Sequence, residues 1–206
     1  MGIAKAGTIT AALLLTLICA GCVNLTGAER PTTWAQPVEV EGVPDLYKVT
    51  EGIYRSGQPT PLGLKNLKAM GIKTVINVRD FHSNREEVLE AGLDYERIRT
   101  RAYYIRKKEV IQFLKIVTDS SRTPVLVHCW LSSDRSGFLI AVYRIVMQGW
   151  SKDEAIREMV RGNFGFHRIF FNVPIWIKFL DVEEIKMAAG MKDPPPKLHN
   201  QDRQKN

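Results

Sequence analysis

Cysteine is scarce in this chain: three among 206 residues, at Cys19, Cys22 and Cys129. That count excludes a scaffold stapled by disulfides. No tract interleaves basic residues with aromatics, and no segment repeats, so neither a nucleic-acid-binding surface nor a solenoid is expected. Long apolar runs are also missing, save one from Ile9 to Ala20 that is too brief to span a bilayer comfortably. What is present suits a folded domain. Hydrophobic residues make up 45% of the chain, enough for one core at this length and too little for two large domains. Lys and Arg outnumber Asp and Glu by 29 to 22, which favours an anionic substrate or an anionic surface.

The N-terminus reads as a targeting segment, because Lys5 precedes the apolar stretch and small residues follow it before a cysteine. Its ending, Leu17-Ile18-Cys19-Ala20-Gly21-Cys22, resembles a bacterial lipobox, with Cys19 where such segments usually carry Leu. That resemblance implies lipid modification of Cys22 and a domain exported to the periplasm-facing side of the cell envelope, anchored in the membrane. Four segments follow: a signal over 1–22, a tether over 23–42, a folded domain over 43–190, and a polar tail over 191–206. With Cys19 removed and Cys22 lipidated, Cys129 is left alone. A lone thiol in an oxidising compartment is either an inert packing residue or a reactive one.

Hydrophobic spacing places the elements. A helix is expected from Gln58-Pro59-Thr60-Pro61 onward, with Leu64, Leu67 and Met70 on one face and Gly71 as its stop. Ile72 to Val78 and Leu93 to Ile98 read as strands, Lys107 to Asp119 as an amphipathic helix, and Val125-Leu126-Val127 as a buried strand. Ser136 to Gln148 is apolar on several faces, so that helix should be central, with Gly149 closing it. Ser151-Lys152-Asp153-Glu154 is a capping box for a helix ending at Gly162, and a last helix is expected over Pro174 to Ala189. Strands alternating with helices predict an α/β domain, its mainly parallel sheet flanked by helices on both faces.

Between the buried strand and the central helix lies His128-Cys129-Trp130-Leu131-Ser132-Ser133-Asp134-Arg135-Ser136-Gly137. A loop there can hold phosphate on backbone amides at a helix N-terminus, and a thiol in the same place is pushed toward the thiolate that attacks phosphorus. Arg135 can curl back and grip two phosphate oxygens, a contact that Lys reproduces poorly.

The pattern His-Cys-x5-Arg-Ser over His128 to Ser136 resembles the signature of the protein tyrosine and dual-specificity phosphatase superfamily, and Ile53-Tyr54-Arg55-Ser56-Gly57-Gln58-Pro59 with Gly71 to Arg79 resembles the opening of its small bacterial members. The resemblance implies hydrolysis of phosphate monoesters through a phosphocysteine: on phosphotyrosine, phosphoserine or phosphothreonine proteins, or on phosphoinositides and small esters. It makes Cys129 the nucleophile, Arg135 the clamp, Ser136 the hydroxyl that eases thiolate departure and His128 the group that sets the loop. Trp130, Leu131, Ser132, Ser133, Asp134 and Arg135 then hold the phosphate, with no metal or organic cofactor.

Two positions depart from that pattern. Ser132 stands where family members usually have Gly, so the loop should be strained or weakened. The upstream stretch Arg99-Thr100-Arg101-Ala102-Tyr103-Tyr104-Ile105-Arg106 has no carboxylate to serve as general acid, which leaves Asp134 as first candidate and Glu109 as second. Asp134 serves equally well as a carboxylate complementing the helix N-terminus. Arg99, Arg101 and Arg106 read best as a solvated face, Tyr103 and Tyr104 as packing residues, and His167 as structural. Two other functions fit the same residues: a phosphate-binding module without turnover, and another thiolate enzyme such as a sulfurtransferase.

Overall fold

The computed structural model describes residues 30–191; the signal segment, Cys22 and most of the polar tail lie outside them. Chain contacts separate Met1–Arg30 from Pro31–Asn206, and every element below belongs to the second unit. Six strands form one sheet: β1 (Gln36–Pro37), β2 (Tyr47–Thr50), β3 (Ile53–Ser56), β4 (Thr74–Asn77), β5 (Asp94–Arg97) and β6 (Val125–His128). Their order is β1-β2-β3-β6-β4-β5. β3, β6, β4 and β5 run parallel, as expected, while β1 and β2 add an antiparallel edge that the sequence reading did not foresee.

Strand side chains alternate between two cores. Val75 and Leu126 point to one side, where α1 (Pro61–Ala69) and α2 (Arg85–Glu90) bring Leu64, Leu67 and Val88. Ile76, Val125 and Val127 point to the other, against Phe113 of α3 (Lys107–Val117), Phe138 of α4 (Asp134–Gln148) and Met159 of α5 (Lys152–Arg161). Both faces are covered, which is why β4 and β6 are buried at every position.

Two boundaries differ from expectation. The tether predicted over 23–42 gives way to folded chain from Pro31: Ala35 is fully buried, its N–H donates to Glu158 Oε1 at 2.7 Å, and Gln36–Pro37 pairs with β2. The cue was the alternation Val38-Glu39-Val40, whose valines pack on the smaller core. The last helix is broken in two. After a 3-10 turn at Arg168–Phe170, α6 (Asn172–Lys178) stops and α7 (Val182–Ala189) restarts, because the Asp181 side chain accepts the Glu184 N–H at 3.0 Å and caps a new N-terminus. Pro174 sits in the first turn of α6, where its missing N–H is tolerated.

A buried ion pair ties the larger core together. Arg144 of α4 and Glu158 of α5 meet through two bonds of 2.9 Å, and the guanidinium lies 4.4 Å from the ring centroid of Trp150.

Candidate active site

β6 ends at His128, α4 begins at Asp134, and the intervening loop carries Cys129 at its base. The thiol is 1% exposed, and its Sγ lies 3.4 Å from Ser136 Oγ in the first turn of α4. Arg135 is half-buried and forms no hydrogen bond with the described residues, so its guanidinium is available to an anion. Trp130 and Leu131 are exposed; together with Ser133, Arg135, His167 and Phe170 they line one cavity beside the loop. Arg135 also lines a second cavity, with Asp80, Phe81, Arg101, Tyr103 and Asp134. The loop residues named from sequence are therefore brought together.

Ser132 does adopt the left-handed conformation that favours glycine, with φ of 58°. Its strain, about 1–2 kcal/mol for a residue with a Cβ, is offset by a contact sequence reasoning missed. Arg55 of β3 is fully buried beneath the loop and donates through Nη2 to the carbonyls of Ser132 and Ser133, the latter at 3.2 Å. Its Nε donates to the Ser132 hydroxyl at 3.3 Å, a bond glycine lacks. The guanidinium stacks 4.0 Å from the Phe164 ring centroid. Gly137 gives it room, since a Cβ there would stand 3.2 Å from Arg55 Nη2. Burial pushes the Arg55 pKa down to about 10, and the strongest opposing influence is the negative charge of Cys129. Arg55 thus shapes the loop and places a cation below the thiol.

His128 is wholly buried, with Nδ1 3.2 Å from the Cys129 carbonyl oxygen and Nε2 unpartnered among the described residues. Burial lowers its pKa to about 4, so the ring is neutral near pH 7 and sets the loop without adding charge. Arg79, just past β4, donates to Gln58 Oε1 at 3.0 Å and lies 4.5 Å from the Trp130 ring centroid. Burial and then the nearby Arg135 lower its pKa. Asn77 holds this turn, accepting the Arg79 N–H at 2.8 Å and donating to Asn84 Oδ1 at 2.7 Å.

The two carboxylates singled out from sequence are placed very differently. Glu109 is buried at the start of α3 and bound to Arg106, with Nε donating to Oε1 at 2.7 Å, and it lines a cavity other than the two that Arg135 borders. Asp134 borders both cavities around Arg135. Its Oδ1 accepts the His167 N–H at 2.8 Å, and its Oδ2 lies 2.8 Å from His167 Nδ1 and 3.1 Å from the Ser133 hydroxyl. His167, read from sequence as structural, lines the cavity with half its side chain exposed. Tyr103 and Tyr104 lie at the surface, Tyr103 lining the cavity it shares with Arg135, and Arg101 pairs with Asp80 at 2.5 Å. Asp80 carried no signal beyond following Val78-Arg79. Among the described residues no group of three or more His, Cys, Asp or Glu side chains is placed to hold a metal ion.

Comparison with known proteins agrees with this geometry. Residues 44–187 match the tyrosine phosphatase family. The dual specificity protein phosphatase TpbA of Pseudomonas aeruginosa is 31% identical over 167 residues, covering 80% of this chain and 75% of that protein. Its crystal structure superposes with a TM-score of 0.69 at 29% identity, over 79% of this chain and 99% of that one, and a cysteine-to-serine form has been crystallised with pTyr. The inositol diphosphatase DSP3 of Arabidopsis thaliana is 27% identical over 120 residues, covering 53% of this chain and 58% of that protein. In this chain a parallel sheet delivers a buried cysteine to the N-terminus of a central helix, with an arginine six residues on, and with the matches above this places it: the chain belongs to the tyrosine phosphatase family and is a cysteine-dependent phosphatase.

Proposed function

We propose that the chain hydrolyses phosphate monoesters of proteins or inositols in two steps. The Cys129 thiolate attacks phosphorus and forms an S–P bond while the ester oxygen leaves with the P–O bonding pair; water then attacks the phosphocysteine and phosphate departs, returning the thiolate. The observation that carries this reading is the junction of β6 and α4, where Cys129 lies 3.4 Å from the Ser136 hydroxyl and Arg135, in the first turn of α4, forms no hydrogen bond with the described residues. Arg135 neutralises charge on the equatorial oxygens, loop amides between Trp130 and Arg135 receive the others, and Ser136 donates to the sulfur as it leaves.

The proton for the departing oxygen comes from the Asp134–His167 pair. Asp134, which accepts the His167 N–H and the Ser133 hydroxyl and lies 2.8 Å from His167 Nδ1, is the orienting group in this reading. His167, held through Nδ1, releases a proton from its other nitrogen in the first step and takes one from water in the second. The deciding experiment measures phosphate release and trapped phosphoenzyme in wild type and Cys129→Ser. Turnover should fall by about four orders of magnitude or more, with binding of a phosphate mimic retained. Residual turnover above about a tenth of wild type rejects the mechanism. Tight binding by the wild type without phosphate release would favour the non-hydrolysing module instead.

The chain acts, in this reading, from the cell envelope, attached through lipid on Cys22. Support comes from Ala20-Gly21-Cys22 after an apolar run behind Lys5. Mass spectrometry of the mature N-terminus tests it, and an unmodified Cys22 ends the proposal without touching the chemistry.

A further inference from the structure

Asp80 and Arg101 form a wall shared by two cavities. On one side they face Arg135 and Asp134. On the other they border a cavity of about 480 Å³, roomy enough for a phosphate group and its hydration, whose lining carries Arg99, Arg106, Lys108 and Glu109. Four cations thus meet two carboxylates there, and both carboxylates are already taken: Asp80 by Arg101 and Glu109 by Arg106. Four minus two leaves two positive charges. Arg99 and Lys108 are exposed and form no ion pair with the described residues.

Folding alone gives no reason for this arrangement. Lys107 and Lys108 occupy the first turn of α3, where the helix dipole disfavours cations, and only Lys107 is compensated, by Glu184 of α7. Like charges crowded on one rim repel one another as well. The same rim suits a ligand. Arg106 is steadied between Glu109 and the Tyr104 ring, whose centroid lies 6.0 Å from its guanidinium, which leaves the forked Arg99 guanidinium and the Lys108 ammonium, a pair that matches the oxygens and charge of a phosphate dianion better than those of one carboxylate.

We propose that this cavity is a second phosphate subsite, occupied by another phosphate of the same molecule whose scissile phosphate lies at Cys129. The inference rests on Cys129 being the nucleophile and sharpens that reading, assigning the enzyme to substrates that carry at least two phosphate groups. Such a substrate is either soluble or a lipid headgroup; the chemistry at the rim is shared.

The test uses the purified full chain, with α,ω-alkane bisphosphonates of graded length and matching monophosphonates as competitive inhibitors of nitrophenyl phosphate hydrolysis. A bisphosphonate of the right span should bind about tenfold tighter than its monophosphonate, beyond the statistical factor of about two for having two ends. Arg99→Ser combined with Lys108→Ser should shrink the advantage to that statistical factor. No advantage at any length, or an advantage that survives the double replacement, overturns the subsite. A parallel arm compares a bisphosphorylated inositol headgroup free in solution with the same headgroup in phosphatidylcholine vesicles; preference over the monophosphate in both assigns the subsite, and preference at the vesicle alone overturns it in favour of surface attraction. Residual turnover in Cys129→Ser condemns the nucleophile, whereas an absent bisphosphonate advantage beside an inactive Cys129→Ser condemns the subsite only.

Discussion

Arg55 and Arg144 are both buried to within 2% of complete, yet only Arg144 has a carboxylate against it. Its charge is cancelled by Glu158 between two helices, with Trp150 stacked on the guanidinium. Arg55 keeps the stacking, on Phe164, and replaces the carboxylate by the carbonyls and hydroxyl of the phosphate loop. Its charge is partly unspent, and the nearest taker in electrostatic terms is Cys129. Two similar side chains in similar burial thus have separate duties: one fastens helices, while the other shapes a loop and favours an anion above it. A buried cation held only by neutral partners keeps charge that favours an anion nearby.

The contrast should break most visibly at Arg144. Arg144→Met strands Glu158 inside the core and should lower unfolding free energy by about 3–5 kcal/mol, while specific activity of the folded fraction stays near wild type. Pairing it with Glu158→Leu should recover much of the loss, and denaturant titration of the two variants measures both effects.

A third buried base sharpens the comparison because it is kept neutral. The His128 pKa is pushed by burial from 6.5 to about 4 in the folded state, so the unfolded chain binds the proton more readily. Stability from this residue is therefore complete above about pH 6.5 and declines as pH falls toward 4, by up to about 3 kcal/mol. Denaturation midpoints at pH 7 and pH 4.5 should differ more for wild type than for His128→Gln, the variant serving to subtract the ordinary carboxylates.

Arg55→Lys keeps a cation and loses the fork. It should reduce kcat/KM for nitrophenyl phosphate by about a hundredfold, with the acid limb of the pH–rate profile displaced upward as the thiolate loses support. A loss of stability without any change in that profile would make Arg55 a scaffold residue like Arg144. Ser132→Gly carries the smallest effect, because relief of the positive φ opposes loss of the hydroxyl bond to Arg55; thermal unfolding should change by under about 1 kcal/mol.

Much of this molecule was legible in its sequence because the informative residues are neighbours along it. The strand, loop and helix from Val125 to Gln148 are contiguous, so apolar spacing and the run from Cys129 to Arg135 located them together. The capping box at Ser151 was equally local, and its hydroxyl accepts the Glu154 N–H at 3.2 Å. What escaped notice is joined only in space. Arg55 reaches a loop far along the chain, His167 meets Asp134 across a helix pair, and Asp80 meets Arg101 from another strand end. One chain read alone carries no record of such pairings. Two misses had local cues after all: the alternating valines at 38 and 40 inside the supposed tether, and Asp181 three residues before Glu184.

Gly137 ends the loop motif, and the space its missing side chain leaves belongs to Arg55. The two positions therefore share one degree of freedom in sequence variation. A lineage that enlarged residue 137 while keeping the guanidinium would push it off the Ser132 and Ser133 carbonyls, and one that lost the guanidinium would free residue 137 to vary. Grafting the loop onto another scaffold meets the same condition. The ten residues from His128 to Gly137 are an incomplete cassette, because the part that holds them in shape is encoded on β3.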